Sequence, residues 1–202
     1  MGDILNISES LSNFRSLMGG DSRRLHIQIP NAREAFVYSM KQFLYDKEFI
    51  WIPEYEEVVS WLTDNKMTGL ALFGYNGRGK SLIARNVIPL IFFHYFNKAF
   101  RIYDAVEMNK YIDEILRYRM VVIDDIGTED IFNEYGTKRC TLFELLDKSE
   151  KTNTFVILTS NLNKDMFIEK YGLRTFERLK ATTTRVFFKK EESLRNQNIY
   201  TK

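Results

Sequence analysis

Short apolar runs alternate with stretches of helical spacing along the chain from residue 69 to residue 188. Continuous apolar runs are typical of strands buried on both faces, and apolar residues three or four positions apart are typical of helices. The alternation predicts an α/β fold in which a five-stranded parallel sheet is flanked by helices. The predicted strands are 69–73, 99–104, 120–124, 154–159 and 184–188. The predicted helices between them are 81–97, 105–118, 137–149, roughly 164–171, and a short one around 175–179.

The chain before residue 69 has a different pattern. Residues 1–30 are rich in Ser, Asn and Gly with little periodicity, which predicts a flexible or irregular segment. Asn31 can cap a helix that holds Glu34 in its first turn and continues to Leu44. A second helix is predicted after Pro53 and as far as Asp64. We therefore divide the chain into an N-terminal extension, partly flexible with one or two helices (1–48), a core (49–195) and a tail (196–202).

Composition excludes several classes of protein. The 202 residues carry 29 basic and 27 acidic side chains, so a net charge of +2 gives little general affinity for nucleic acid. The single cysteine, Cys140, excludes an internal disulfide framework. No secretory signal is visible, and the most apolar stretch (87–96) is too short to span a bilayer. These features predict a cytoplasmic protein with no membrane contact.

The first predicted strand is followed by a complete phosphate-binding loop, the Walker A motif. Its glycines allow a tight turn in which backbone N–H groups point at an anion, and the following helix adds its positive end. Lys80 is expected to reach the β- and γ-phosphates of ATP, and the Ser81 hydroxyl to bind Mg²⁺. The candidate nucleotide-binding residues are Gly74, Tyr75, Asn76, Gly77, Arg78, Gly79, Lys80, Ser81 and Leu82.

Two carboxylates end the third predicted strand, Asp124 and Asp125. Ligands of open α/β sheets bind beyond the carboxyl ends of the strands, where the phosphate-binding loop also lies. Asp124 is therefore a candidate magnesium-binding residue, and Asp125 a candidate for polarising the attacking water. The alternative is that these residues only form hydrogen bonds within a turn.

Asn161, after the fourth predicted strand, is a candidate for positioning that water or contacting the γ-phosphate, although Ser-Asn after a strand is also common in simple turns. Arg174 and Arg178 lie four positions apart on one short helix. Two interpretations are open for them: an ordinary surface arginine, or an arginine that is supplied across a subunit interface to a neighbour's phosphates.

Four sequence elements in this order resemble the AAA+ ATPases of the DnaC/IstB group, the replicative-helicase loaders and their transposition-helper relatives. They are Gly74–Ser81, the run Val122-Ile123-Asp124-Asp125-Ile126-Gly127-Thr128-Glu129, the run Leu158-Thr159-Ser160-Asn161-Leu162, and the run Gly172-Leu173-Arg174-Thr175-Phe176-Glu177-Arg178-Leu179. The resemblance covers residues 50–195. It implies a P-loop AAA+ fold without a full C-terminal lid, and an ATP-dependent homo-oligomer that acts on a replicative helicase of the DnaB type.

The resemblance also implies roles for individual residues. Asp124 matches the magnesium-binding acid, Asp125 the catalytic acid, Asn161 the polar sensor, and Arg178 the arginine that reaches a neighbouring subunit's nucleotide. Three departures from the group stand out: a short N-terminal region, room for only one helix in 105–119, and Asp rather than Glu at position 125. The last favours slow hydrolysis suited to a switch.

Three functions remain open from the sequence. The first is a DNA-replication ATPase of phage or mobile-element origin that loads or remodels a helicase. The second is an IstB-like helper that delivers a transposase, and the third is a small-molecule kinase, against which the missing lid argues. Single-stranded DNA is a possible ligand of a basic and aromatic segment, although the same residues suit an ordinary amphipathic helix. These residues are Lys110, Tyr111, Arg117, Tyr118 and Arg119.

Overall fold

The computed structural model describes residues 24–45, 47–129, 133–134, 137–138, 140–189 and 194, with the backbone alone for 133–134 and 137–138. The predictions for 1–23 and for the tail (196–202) lie outside this part of the chain. Its strands are β1 (Gly69–Gly74), β2 (Arg101–Asp104), β3 (Met120–Ile126), β4 (Asn133–Glu134), β5 (Thr137–Lys138), β6 (Phe155–Ser160) and β7 (Thr183–Phe188).

Within the described residues, five strands form one parallel sheet in the order β2-β3-β6-β1-β7, and β4 pairs with β5 in an antiparallel hairpin. The sheet confirms the five predicted strands, with ends that differ by one or two residues. Because β1 lies between β6 and β7, the chain leaves an interior strand of the sheet after β1 and crosses to β2 at the far edge. Ligands of such sheets bind at the carboxyl ends of the strands near this point.

The described helices lie before and between these strands. They are α1 (Ala32–Leu44), α2 (Pro53–Thr63), α3 (80–96), α4 (Ala105–Met108), α5 (Ile112–Ile115), α6 (Thr141–Thr152), α7 (Lys164–Tyr171) and α8 (Leu173–Thr182). The helix α3 consists of an α-helical turn (Lys80–Leu82), a π-helical segment (Ile83–Val87) and an α-helical segment (Ile88–Phe96). Pro89 has no N–H to donate to the carbonyl of Arg85, which favours the irregular hydrogen bonding of the π-helical segment.

Two apolar clusters cover the two faces of the sheet. Alternate residues of β1 divide between them: Leu70 and Leu72 belong to the cluster with α1, α2 and α3, while Ala71 and Phe73 belong to the cluster with the later helices. The helix α1, which we assigned to the N-terminal extension, buries Phe36 in the first cluster. It therefore helps to build the wall of the site described below.

Two predicted helices differ from the structure. The prediction of one helix over 105–118 is wrong, because the segment forms α4 and α5 with a turn between them. In that turn the Asn109 side chain accepts a hydrogen bond from the Thr141 hydroxyl at 2.6 Å, a tertiary contact that helical spacing does not reveal. The helix predicted from residue 137 begins at Thr141, since 137–138 form β5. Asn31 precedes α1 as expected, but its side chain forms no capping hydrogen bond.

Candidate nucleotide-binding site

The predicted phosphate-binding loop connects the end of β1 to the start of α3. Gly74, Gly77 and Gly79 have φ angles of 116°, 80° and 87°, a region that favours glycine. A side chain at Gly74 is also excluded by space, because a Cβ atom there would lie 2.0 Å from the carbonyl oxygen of Phe188. The sequence motif thus corresponds to a loop that only glycine can form at these positions.

The Lys80 ammonium group lies within the loop. Its Nζ atom donates to the backbone carbonyls of Gly74 and Tyr75, both at 2.7 Å, and the residue is buried. The start of α3 and the Lys80 ammonium therefore place positive charge at the same point. This arrangement fits the phosphate groups of a nucleotide.

A buried ion pair attaches the loop to α2. The Arg78 side chain lies 3.4 Å from Glu54 Oε2, and both side chains are almost inaccessible, at 2% and 3%. Glu54 Oε1 also accepts a hydrogen bond from the Lys189 backbone N–H at 2.9 Å. Tyr55, the next residue of α2, donates from its hydroxyl to the Arg78 carbonyl at 3.3 Å. The loop conformation thus depends on α2 and on the residue after β7.

Asp124 and Asp125 lie in β3, where the pairing with β6 shifts register between Ile123 and Ile126. Asp125 has a φ angle of 62°, so the backbone turns its side chain away from the regular alternation of the strand. The Thr159 hydroxyl donates to Asp124 Oδ1 at 2.5 Å and accepts from the Asp125 backbone N–H at 2.8 Å. Thr159 therefore fixes both acids, a role that the sequence did not suggest.

Asn161 lies directly beyond β6 and donates from Nδ2 to Asp125 Oδ1 at 2.6 Å. Burial and the neighbouring Asp124 carboxylate raise the pKa of Asp125 above its ordinary value, while Lys80 opposes this and Asp104 adds to it. A raised pKa makes the carboxylate a stronger base. The structure thus brings together the predicted catalytic acid and the predicted polar sensor.

A second ion-paired group lies at the carboxyl ends of β2 and β3, and the sequence did not reveal it. Arg85, in the π-helical segment of α3, pairs with Asp104 and lies 3.4 Å from Asp124 Oδ2. Asp104 and Asp124 are register partners in adjacent strands. The sequence did contain one indication of this group: Asp104, like Asp124, ends a predicted strand.

Residues from these elements line one cavity of about 520 Å³. Its polar side contains Lys80, Ser81, Asp125 and Asn161. Apolar residues near the end of α1 also line it, as does Leu194, whose backbone N–H donates to the Gly77 carbonyl at 3.1 Å. The apolar residues of α1 in the wall are Met40, Phe43 and Leu44.

The cavity combines apolar residues of α1 with residues of the phosphate-binding loop, as expected of a nucleotide site. Of the other predicted binding residues, Asn76, Gly77, Gly79 and Leu82 also line it. The set of residues therefore fits a nucleoside triphosphate.

The described residues include no group of three or more His, Cys, Asp or Glu side chains able to hold a metal ion by themselves. Magnesium in phosphate sites is commonly held by one or two protein groups together with water and phosphate oxygens. Ser81 in the cavity wall and the buried Asp124 at the end of β3 fit that kind of site.

Glu129, the last residue of the Asp-Asp-Ile-Gly-x-Glu run, stabilises the segment after β3. Its buried carboxylate accepts from the Gly127 backbone N–H at 2.9 Å and from the Tyr171 hydroxyl. The Lys170 ammonium donates to the carbonyls of Gly127 and Glu129 at 2.7 and 2.6 Å. The segment after β3 is thereby attached to α7.

Arg178 lies on α8 and does not line the cavity. It pairs with Glu150 and, at 2.7 Å, with Asp147, both on α6. Arg174 and Arg178 both lie over the Phe143 ring, at 5.1 and 5.3 Å. A contribution of Arg178 to a neighbouring subunit's site stays a prediction.

The basic and aromatic segment predicted to suit single-stranded DNA is partly engaged within the chain. Arg101 lies 4.8 Å from the centre of the Tyr118 ring, and Lys110 lies 5.1 Å from that of Tyr111. Arg117 and Arg119 are exposed. DNA binding by this segment stays a prediction.

The topology and the loop together define the class: the chain has the fold of the P-loop AAA+ ATPases. The structure of AMPPCP-bound DnaA from Aquifex aeolicus is similar, with a TM-score of 0.50 and 13% identity over 73% of this chain and 50% of that chain.

Two further solved structures, DnaI and the DnaC helicase loader, also resemble the chain. DnaI has a TM-score of 0.48 and 18% identity, covering 79% of this chain and 86% of its own. The DnaC helicase loader has a TM-score of 0.49 and 14% identity, covering 80% and 92%. Comparison with protein-family models and with curated proteins gives no match. No helix among the described residues is long and apolar enough to cross a membrane.

Proposed function

We propose that the chain binds ATP with Mg²⁺ in the cavity at the end of β1 and hydrolyses the ATP slowly, as a switch. One observation carries this proposal: Lys80, in the phosphate-binding loop, and the Asp125–Asn161 pair line the same cavity. The DnaA structure, which has the same fold, is described as bound to the ATP analogue AMPPCP.

Each part of the cavity has a role in this proposal. The loop N–H groups, the start of α3 and Lys80 hold the phosphates, while Met40, Phe43 and Leu44 contact the base and sugar side. Ser81 and Asp124 would hold Mg²⁺, which neutralises charge on the phosphate oxygens.

Hydrolysis is an attack of water on the γ-phosphate. Asp125 accepts a hydrogen bond from this water, and Asn161 holds the Asp125 carboxylate in place. Most of the acceleration comes from placement and from neutralisation of charge. An aspartate is one methylene shorter than a glutamate, which favours slow turnover. Arg178 completes the site of a neighbouring subunit, so ATP would control self-assembly.

For the biological role, we propose that the protein loads or remodels a replicative helicase of the DnaB type on DNA. The support is the ordered set of motifs shared with the DnaC/IstB group, with Asp-Asp-Ile-Gly-x-Glu the most specific. Single-stranded DNA is a further proposed ligand. The IstB-like alternative shares these motifs and has a transposase as its partner.

Two measurements test the proposal. Phosphate release from ATP in the absence of any acceptor tests the ATPase part and counts against a small-molecule kinase. Affinity capture from host extract, with and without a non-hydrolysable ATP analogue, tests the partner. Nucleotide-dependent capture of a hexameric helicase supports the loader, whereas capture of a transposase with filament formation on duplex DNA supports the helper. Recovery of neither partner contradicts both.

A further inference from the structure

Arg85 pairs with Asp124, the predicted magnesium-binding acid. It belongs to the π-helical segment of α3, directly after the turn that begins with Lys80. Irregular segments of this kind are frequent at functional sites. The irregularity has a local cause in Pro89, which has no N–H to donate to the Arg85 carbonyl.

The guanidinium group of Arg85 lies between two carboxylates of different exposure. The Asp104 side chain is 53% exposed, whereas that of Asp124 is 9% exposed, and Arg85 itself is 35% exposed. The two acids are neighbours because they are register partners at the ends of β2 and β3. Arg85 thus has one acceptor near solvent and one acceptor inside the site.

Both oxygens of Asp124 already face a donor. The Thr159 hydroxyl donates to Oδ1 at 2.5 Å, while Arg85 lies 3.4 Å from Oδ2. A separation of 3.4 Å is long for a hydrogen bond to a charged group, so the contact with Oδ2 is mainly electrostatic. Oδ2 is therefore more weakly held than Oδ1, and Arg85 is the more easily displaced of the two donors.

We infer that Arg85 is a counter-cation of Asp124 that competes with Mg²⁺, and that Asp104 holds the Arg85 guanidinium when the metal is bound. The inference rests on the proposed binding of ATP and Mg²⁺ at this site. Its consequence is a higher magnesium requirement: the protein gains less affinity for nucleotide from Mg²⁺ than it would with a neutral side chain at position 85.

The quantity to measure is the dissociation constant for AMPPNP in EDTA divided by the dissociation constant in saturating MgCl₂. This ratio reports the magnesium-dependent gain in affinity and not the overall affinity of the site for the nucleotide. At the dielectric constants of partly buried sites, removal of one positive charge near the metal should increase the ratio about tenfold. Arg85→Gln is the test variant.

Arg33→Gln is the matched control, because Arg33 also forms an ion pair, with Glu56, but on an exposed surface. Its ratio should equal that of the wild type. Arg85→Lys keeps the charge but loses the forked geometry, so its ratio should lie between those of the wild type and Arg85→Gln. Equal ratios for the wild type and Arg85→Gln would overturn the inference.

Asp104→Asn tests the second half of the inference. Without Asp104, Arg85 pairs with Asp124 alone and the ratio should fall. In an Arg85→Gln background the same change should have little effect, since Asp104 acts through Arg85. Equal effects in both backgrounds would show that Asp104 acts on the metal directly and would contradict the shared guanidinium.

The wild type separates this inference from the proposed function. A wild-type protein that binds AMPPNP in neither solution overturns both. A wild-type protein that binds AMPPNP more tightly with Mg²⁺, together with an unchanged ratio in Arg85→Gln, overturns the inference and leaves the proposed function standing.

Discussion

The buried pair of Glu54 and Arg78 gives the sharpest prediction about stability. Glu54→Gln keeps the shape of the side chain and an oxygen that can accept from the Lys189 N–H. It removes the negative charge next to Arg78, which is only 2% exposed. Removing one partner of a buried ion pair costs about 3–5 kcal/mol, because the remaining charge is left in a poorly solvated place. We expect a loss near the lower limit, about 3 kcal/mol, since the amide oxygen still accepts hydrogen bonds.

Glu56→Gln is the matched control on the same helix. Glu56 also pairs with an arginine, Arg33, but the two side chains are 55% and 50% exposed. Exposed pairs contribute roughly 0–1 kcal/mol. Urea unfolding measured by far-ultraviolet circular dichroism gives both free energies of unfolding. A difference of less than about 1 kcal/mol between the two variants would refute the argument from burial.

The same pair predicts a dependence of stability on pH. Burial raises the pKa of Glu54, but the Lys189 N–H and Arg78 outweigh this and hold the pKa below its ordinary value of 4.5. Because the folded pKa is lower than the unfolded one, the stabilisation is present above about pH 4.5 and is lost as the pH falls through the folded pKa. Glu54→Gln should lack this part of the acid sensitivity. It should also weaken nucleotide binding, because the ion pair with Arg78 no longer attaches the phosphate-binding loop to α2.

Two further predictions concern hydrolysis. Asp125→Asn should keep affinity for AMPPNP and lower phosphate release from ATP about a hundredfold, because the amide cannot accept a proton from water. Unchanged release would exclude Asp125 as the catalytic base. Arg178→Ala should also bind AMPPNP normally but lose about a thousandfold in release, with Arg174→Ala as the matched control on the same helix. Undiminished release in Arg178→Ala would remove the proposed shared site.

The parallel sheet and the loop were predictable because they depend on local patterns. Apolar runs give buried strands, and three glycines before Lys80 give the turn at the end of β1. The position of Asp125 opposite Asn161 follows from the same logic, since both lie at the carboxyl ends of adjacent strands. Side chains that end neighbouring strands must meet at one edge of the sheet.

The remaining features of the site depend on contacts between distant segments. The apolar wall from α1 requires that helix to pack on α3, and no spacing within residues 32–44 indicates this partner. The pairing of Arg85 with Asp124 depends on the π-helical segment, which a regular helical pattern does not predict. The break between α4 and α5 likewise involves Asn109, which contacts Thr141 in a later helix.

The most direct test of the account is calorimetric titration of the protein with AMPPNP in MgCl₂. The wild type should bind with one site per chain, and Lys80→Ala should show no binding because the ammonium inside the loop is lost. The exposed Lys98 provides a matched control, and Lys98→Ala should bind like the wild type. Absence of heat with the wild type, or equal affinity of the wild type and Lys80→Ala, would contradict the claim that this loop holds a triphosphate.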